Sequence, residues 1–474
     1  MPNDRSRLRW TLFCLAFPLL AACSTIVEAE PAAQTPPNIV LIMIDDIGAE
    51  AIGAYGGTSY ATPRIDQLAE TGVRFNNCYA SPACTPSRVQ IMSGKYPYRT
   101  GWSGFINLKA EESNNDYVNP QVGSFALRLQ ELGYATAVGG KWQLARLDKR
   151  PDHLAQMGFN EHAMWTWIYE NRYQSRYWEP KILKNGELFD AQADDYGPDV
   201  INDFLLEFME RKKDGPFFVY YPMLLVHAGF HPTSDFEGDP LAEMDRIKKQ
   251  DRAAKKKDRK YKNTAKSEAG AATYFPHMVS TADNRIGRVI DKLQELGVYE
   301  NTVVIVTGDN GTPYQVYSEL EDERGKLTIK GGKQNLGETG CRVPLIARWP
   351  TRSPQGTVLD DLVDFSDFKP TLVELAGGTL KPGEVDGVSF APQVIGQPAP
   401  QPRAWAHAAF KDRRFVRDRR FMLYGDGRFI DLADRYRPKP ASPDDSPEAQ
   451  GSFDLLKAAL DAMPPDADRY RWEK

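Results

Sequence analysis

The chain has 474 residues, 41% of them hydrophobic and 26% charged, with a formal net charge of −5. That length accommodates a large α/β enzyme or two to four smaller domains, and the composition is that of an ordinary soluble globular protein. The mild acidic balance excludes a protein drawn to nucleic acid by its overall charge.

Arg5, Arg7 and Arg9 precede an apolar run from Trp10 to Leu20, which ends in Leu20-Ala21-Ala22-Cys23. A basic flank and a short apolar stretch predict an export signal, too short to span a membrane as a mature helix. The four-residue ending resembles a bacterial lipobox, in which the cysteine becomes the lipidated first residue; a plain cleaved signal is the other reading. Ser24 resembles the pattern of lipoproteins sorted to the outer membrane. The expected organisation is a signal over 1–22 and a flexible tether over 23–36, rich in Ala, Pro, Glu and Gln. The protein is then exported and anchored through Cys23 on the periplasmic or cell-surface face of an outer membrane. Cys14 and Cys23 fall in this region, leaving Cys78, Cys84 and Cys341 in an oxidising compartment. An odd count leaves at least one thiol without an intrachain partner, and a Cys78–Cys341 pair would free Cys84 for chemistry.

Asn38–Ile44 is a continuous apolar run rich in branched residues that stops at Asp45-Asp46. That is the profile of a strand buried on both faces. Three more such runs follow. Tyr134–Val138 leads to Gly139-Gly140-Lys141-Trp142, Pro216–Tyr221 leads to His227, and Thr302–Thr307 leads to Gly308-Asp309-Asn310-Gly311. Between them, Phe125, Leu129 and Leu132 recur at helical spacing, as do Met278, Ala282, Ile286, Val289, Leu293 and Leu296. Strands alternating with helices predict a mainly parallel sheet covered on both faces, and ligands of such sheets gather beyond the carboxyl ends of the strands. Four polar strand ends at one edge therefore predict a site.

Trp165, Trp167, Tyr169, Tyr173, Tyr177 and Trp178, interleaved with Arg172 and Arg176, form an aromatic cluster. Either they stack on a ligand while the arginines meet its anionic groups, or they are a large loop packing its own aromatics. The strongly basic stretch from Arg246 to Lys266 is either a flap for a polyanionic chain or a solvated, partly helical insertion; no nucleic-acid motif accompanies it. From Pro382 onward, short apolar segments separated by Asp-Gly and Arg-Arg predict antiparallel hairpins. The expected domains are thus 37–380 and a smaller 381–474.

Cys84-Thr85-Pro86-Ser87-Arg88, followed by Met92-Ser93-Gly94-Lys95-Tyr96-Pro97, resembles the signature of the type I sulfatases of the alkaline phosphatase superfamily. The resemblance extends to Asp45-Asp46, Gly140-Lys141-Trp142, Gly308-Asp309-Asn310-Gly311, Gly331-Gly332-Lys333 and Arg342-Val343-Pro344. It implies an alkaline-phosphatase-like α/β/α sandwich with a mostly parallel central sheet and a small C-terminal α+β domain. It also implies conversion of Cys84 to formylglycine by a formylglycine-generating enzyme or an anaerobic sulfatase-maturating enzyme. The hydrated aldehyde then attacks sulfur of a sulfate ester, here on a carbohydrate. Asp45, Asp46, Asp309, Asn310 and residue 84 would hold one divalent cation, and such hard oxygen donors suit Ca²⁺, less often Mg²⁺. Arg88, Lys141 and Lys333 would supply fixed positive charge, and His227 would serve the leaving oxygen.

One position departs from the pattern. Gly140-Lys141-Trp142-Gln143-Leu144-Ala145 stands where the family has Gly-Lys-Trp-His-Leu-Gly. Gln143 donates and accepts hydrogen bonds but takes no proton near neutral pH. Another base then serves (His153 is one stand-in), or turnover is slow, or the protein only binds. The rival functions are accordingly a phosphodiester or phosphonate monoester hydrolase on the same scaffold, and a non-catalytic lipoprotein that binds sulfated glycan.

Overall fold

The computed structural model describes residues 36–106, 117–257, 262–322 and 324–464. The expected signal, Cys23 and nearly all of the tether lie outside the described residues. Among the described residues, no helix is long and apolar enough to cross a membrane.

Asn38–Ile44 is buried along its whole length and pairs in parallel with Thr302–Gly308 on one side and Phe217–Pro222 on the other. A strand apolar on both faces has no side to offer water, so it takes the centre of the sheet. Ala135–Lys141 continues the parallel set beyond Phe217–Pro222, and Glu161–Trp165 follows. Five neighbouring strands therefore share one carboxyl edge. On the far side the sheet becomes mixed: Leu345–Arg348 runs antiparallel to Thr302–Gly308, and Val73–Tyr79 antiparallel to that. Two reversals restore the original direction, so Tyr79 ends at the same edge as Ile44 and Gly308. At the other flank, Ile182–Lys184 and Glu187–Leu188 form a hairpin through Asn185 and Gly186, both at positive φ, as a tight two-residue turn requires.

Side chains alternate between two core layers. Ile39, Leu41 and Met43 enter one, packed with Val89, Met92, Phe125, Leu129 and Leu372. Val40, Ile42 and Ile44 enter the other, with Ile201, Leu205, Met278, Ile286 and Leu293. The second layer's long helix, Glu268–Glu295, starts where the Ser267 hydroxyl accepts from the Gly270 amide, and it carries Met278, Ala282, Ile286, Val289 and Leu293 on its buried face. The part of the basic stretch from Arg246 to Lys257 lies in the exposed helix Pro240–Lys257, in which only Ile247 is buried.

The C-terminal hairpins exist as a five-stranded antiparallel sheet over Ala406–Phe410, Arg413–Arg417, Phe421–Tyr424, Phe429–Asp431 and Lys439–Pro440. One face packs on the helix Pro447–Ala462. The other meets Tyr79 and Leu362 of the large sheet and Cys341 at the end of the short helix Glu338–Cys341. This arrangement corrects one expectation: Cys78, Cys84 and Cys341 are all free thiols. Cys78 sits on a strand paired with Arg342–Val343, but its side chain enters the first core layer while Cys341 faces the small sheet. Opposite faces put the two sulfurs out of bonding geometry.

Candidate active site

The shared carboxyl edge assembles the polar strand ends. The Asp309 amide donates to the Ile44 carbonyl at 3.0 Å, and the Asp46 amide to Asp309 Oδ1 at 3.0 Å. The Asp45 amide donates to Leu225 O at 2.8 Å, and the Val226 amide to Asp45 O at 2.7 Å, which draws the segment before His227 across the end of the first strand. Asp45, Asp46, Asp309 and Asn310 are all fully buried.

Residue 84 arrives from the Tyr79 end of its strand and opens the helix Cys84–Ser93. Ala83 at the N-cap provides no side-chain acceptor, so the helix presents the positive end of its dipole beside Cys84. Arg88, four residues on, lies on the same helix face. Its Nε and Nη2 donate to Asp309 Oδ2 at 3.1 and 2.8 Å, and Nη1 donates to the Lys141 carbonyl. Lys141 Nζ donates to both Asp45 oxygens at 2.9 and 2.8 Å and lies 3.4 Å from Cys84 Sγ. Lys333 Nζ donates to Asp46 Oδ2 at 2.5 Å. His227 Nε2 stands 3.7 Å from the same oxygen.

Eight of the nine residues expected at the site besides Gln143 are thus joined directly to one another by hydrogen bonds or close contacts among Asp45, Asp46, Cys84, Arg88, Lys141, Asp309, Asn310 and Lys333, and His227 adjoins them. Gln143 is buried at positive φ, and its Oε1 has no partner, so it brings an unused acceptor to the end of the Lys141 strand.

Burial acts against every charge here, and the neighbours decide the outcome. Burial raises the Asp45 carboxyl, but Lys141, His227, Arg88 and Lys333 together hold it well below the carboxylate range. Asp309 is pushed up by burial and by Asp45, against the pull of Arg88. The Cys84 thiol is pushed up by burial, which Lys141 and Lys333 do not offset, so the unmodified side chain is a protonated, weak nucleophile. Burial, Lys333, Arg176 and Lys141 depress His227 far below the usual imidazole range. Its Nδ1 lies 2.9 Å from the Ala228 carbonyl, which only accepts, so Nδ1 carries the proton and Nε2 is left open toward Asp46.

The residues fit a divalent cation. Ligand atoms of Asp45, Asp46, Cys84 and His227 all lie within 4.8 Å of one another. Asn310 donates from Nδ2 to Asp46 and Gly311 O, while its Oδ1 is buried without any donor. An orphaned amide oxygen beside buried carboxylates is a ready ligand for a hard cation. The three carboxylates are matched by Arg88, Lys141 and Lys333, so without a cation the site offers an anionic substrate no net positive charge.

His153, the stand-in for the absent histidine, does not reach the pocket. It is 1% exposed in the first core layer. Trp142 Nε1 donates to its Nδ1 at 3.0 Å, leaving Nε2 to donate to Val118 O at 2.7 Å. Burial lowers its pKa to about 4. A depressed folded-state value means the unfolded chain takes up protons that the native one refuses, so stability is lost as pH falls from about 6.5 through about 4. Roughly 3 kcal/mol is expected from this residue once both states are protonated. His153→Gln, which offers one acceptor and one donor, should flatten that part of the profile in urea titrations run between pH 7 and pH 4.

Two contributions were not legible beforehand. Tyr177 Oη lies 3.1 Å from Leu224 O and 2.9 Å from His227 O, which share its one proton, bracing the histidine segment. Thr312 Oγ1 donates to a buried Glu50 at 2.6 Å and accepts from the Gly48 amide at 3.0 Å, tying the Asp45-Asp46 turn to the Asn310 loop. The aromatic signal pointed toward Tyr177; nothing in the sequence linked Glu50 to Thr312.

The α/β/α sandwich, with its polar cluster at the carboxyl edge of a mostly parallel sheet, has the alkaline-phosphatase-like fold. The sulfatase family matches over residues 37–378, and the chain belongs to the sulfatase family of sulfuric ester hydrolases. N-acetylgalactosamine-6-sulfatase of Canis lupus familiaris is 29% identical over 418 residues, covering 80% of this chain and 70% of the relative. N-acetylglucosamine-6-O-sulfatase of Bacteroides thetaiotaomicron is 25% identical over 463 residues, covering 82% and 77%. A structure solved in complex with its substrate D-glucosamine-2-N,6-O-disulfate superposes with a TM-score of 0.66 at 22% identity, covering 92% of this chain and 100% of that one, and shares the fold.

Proposed function

We propose that this protein removes sulfate from a sulfated carbohydrate, with Cys84 converted to formylglycine by a dedicated maturation enzyme and one Ca²⁺ held beside it. The observation that carries this reading is the convergence of Asp45, Asp46, Asp309 and Asn310 on residue 84, braced by Lys141, Arg88 and Lys333. The expected export and lipid anchoring through Cys23 belong to the same proposal, since a surface-tethered enzyme meets extracellular glycans. The hexosamine sulfatases among its relatives support the choice of carbohydrate.

The buried, protonated thiol makes a poor nucleophile, which is the chemical case for modification. A hydrated formylglycine would supply the attacking hydroxyl, and a bound divalent cation would supply Lewis acidity. Asp45, Asp46, Asp309 and Asn310 would hold the cation. Arg88 and Lys141, both nearly inaccessible to water, hold fixed charge at residue 84, and Lys333 faces the site from the opposite loop. Charge develops on the bridging oxygen as the S–O bond breaks, and each well-placed donor contributes roughly 3 kcal/mol there. To donate to the leaving oxygen, His227 must take a proton on Nε2 in addition to the one that Nδ1 directs at the Ala228 carbonyl. Gln143 contributes hydrogen bonding alone.

Incubation with a chelator followed by gel filtration should lower hydrolysis of 4-nitrophenyl sulfate at least about a hundredfold, and Ca²⁺ should restore it. Full activity in the chelated protein would overturn the metal assignment. A sulfate and a phosphate ester of the same phenol, assayed side by side, should show preference for sulfate; the reverse preference would move the reading to the phosphoester hydrolases of this scaffold.

A further inference from the structure

The aromatic cluster divides in the structure. Arg172 and Tyr173 are exposed on a short hairpin away from the core. Arg176 is different. Its guanidinium carbon lies 4.4 Å over the Trp165 ring and 5.7 Å from that of Tyr177. Trp165 ends the strand Glu161–Trp165 and is paired in register with Lys141, which places it one strand along the same carboxyl edge from the site. Tyr177, the next residue, donates to the carbonyl of His227.

The position is held by backbone. The Gly197 amide donates to Tyr177 O at 2.7 Å, and a Cβ on Gly197 would come within 2.1 Å of the Arg176 carbonyl, so only glycine permits this approach. Trp178 bridges Tyr196 on the other side. Arg176 itself is only partly buried, so a ligand can approach the side chain, and its Nη1 has no hydrogen-bond acceptor. A buried donor on a cation without a partner is costly, and such groups are ordinarily satisfied. Stacking on Trp165 fixes the plane of the fork and leaves its edge for an oxyanion.

We infer that Arg176 is a recognition residue for a second anionic group, a sulfate or carboxylate, on the sugar whose sulfate is removed. The inference rests on the sulfatase reading above, because His227 marks the leaving-group side where that sugar lies. A substrate carrying one sulfate and no other charge would leave Nη1 unsatisfied; a doubly charged one would satisfy it.

Calorimetric binding to the calcium-loaded Cys84→Ala protein tests this without turnover. The probes are two matched pairs: N-acetylglucosamine 6-sulfate against glucosamine 2-N,6-O-disulfate, and N-acetylgalactosamine 6-sulfate against its 4,6-disulfate. In at least one pair the doubly charged sugar should bind about tenfold or more tightly. Adding Arg176→Gln should reduce that ratio to about two, and Arg176→Lys should retain part of it. Absence of a preference in both pairs, a preference that survives Arg176→Gln, or no binding of any of the four sugars would overturn the inference. Hydrolysis of 4-nitrophenyl sulfate by the protein with native Cys84 needs no second anion. If that activity is present when the preference is absent, only the role of Arg176 falls; if it is absent from protein converted at residue 84, the sulfatase reading falls as well.

Discussion

Cys84→Ala is expected to reduce sulfate-ester hydrolysis to background, a loss of about 10⁴-fold or more, with the fold intact. Residue 84 is 1% exposed at the first position of its helix, where alanine is readily accommodated and removes only one sulfur. Stability should therefore change by about 1 kcal/mol, far less than activity. What disappears is the one side chain that Lys141, the helix terminus and the carboxylate cluster all face. Mass analysis of the peptide spanning residues 79–95 of the parent protein provides the chemical check. Conversion of the thiol to the aldehyde removes about 18 Da, because oxygen replaces sulfur and two hydrogens leave. An alanine variant with undiminished activity would eliminate residue 84 as the nucleophile, and an unmodified thiol in active protein would eliminate formylglycine.

Asp309→Ala is expected to abolish activity and also to destabilise the protein, by about 3–5 kcal/mol. The two effects have different origins. Loss of activity follows from losing one of the buried carboxylates that would hold the cation. Loss of stability follows from Arg88, which is 1% exposed and directs two of its nitrogens at Asp309 Oδ2. Deleting that carboxylate strands a guanidinium in the core, with Asp45 at 3.6 Å already engaged by Lys141. Asp309→Asn retains an acceptor for Arg88 and should recover part of the stability while remaining inactive. Urea unfolding midpoints with and without Ca²⁺ separate the contributions. A stable, inactive Asp309→Ala protein would mean that Arg88 finds Asp45 sufficient, and an active one would remove Asp309 from the site.

Much of the fold was legible because its signals are local. Asn38–Ile44 is apolar at both parities, and only a central strand satisfies such a segment. The alternation of Ile39, Leu41 and Met43 with Val40, Ile42 and Ile44 then separates the two core layers. The antiparallel flank formed by Leu345–Arg348 carried no comparable signal, since a short buried run reads alike in either direction. The pairing of Cys78 with Cys341 was arithmetic on a count, and the count contains no information about which face each sulfur occupies. His153 has the right chemistry and lies near Gln143 in sequence, but its ring satisfies Trp142 and Val118 in the core.

What the amino-acid order determined by itself was the set of strand ends bearing Asp45, Lys141, His227 and Asp309, and the Cys84-Thr85-Pro86-Ser87-Arg88 turn, because hydrophobic runs and helix starts are set by neighbours along the chain. Only the tertiary structure decided that Arg88 closes on Asp309, that Lys141 spans Asp45 and Cys84, and that Arg176 rather than Arg172 stacks on Trp165. Those contacts join residues far apart in sequence, and they form only when parallel strands align their carboxyl ends and bury the charges together.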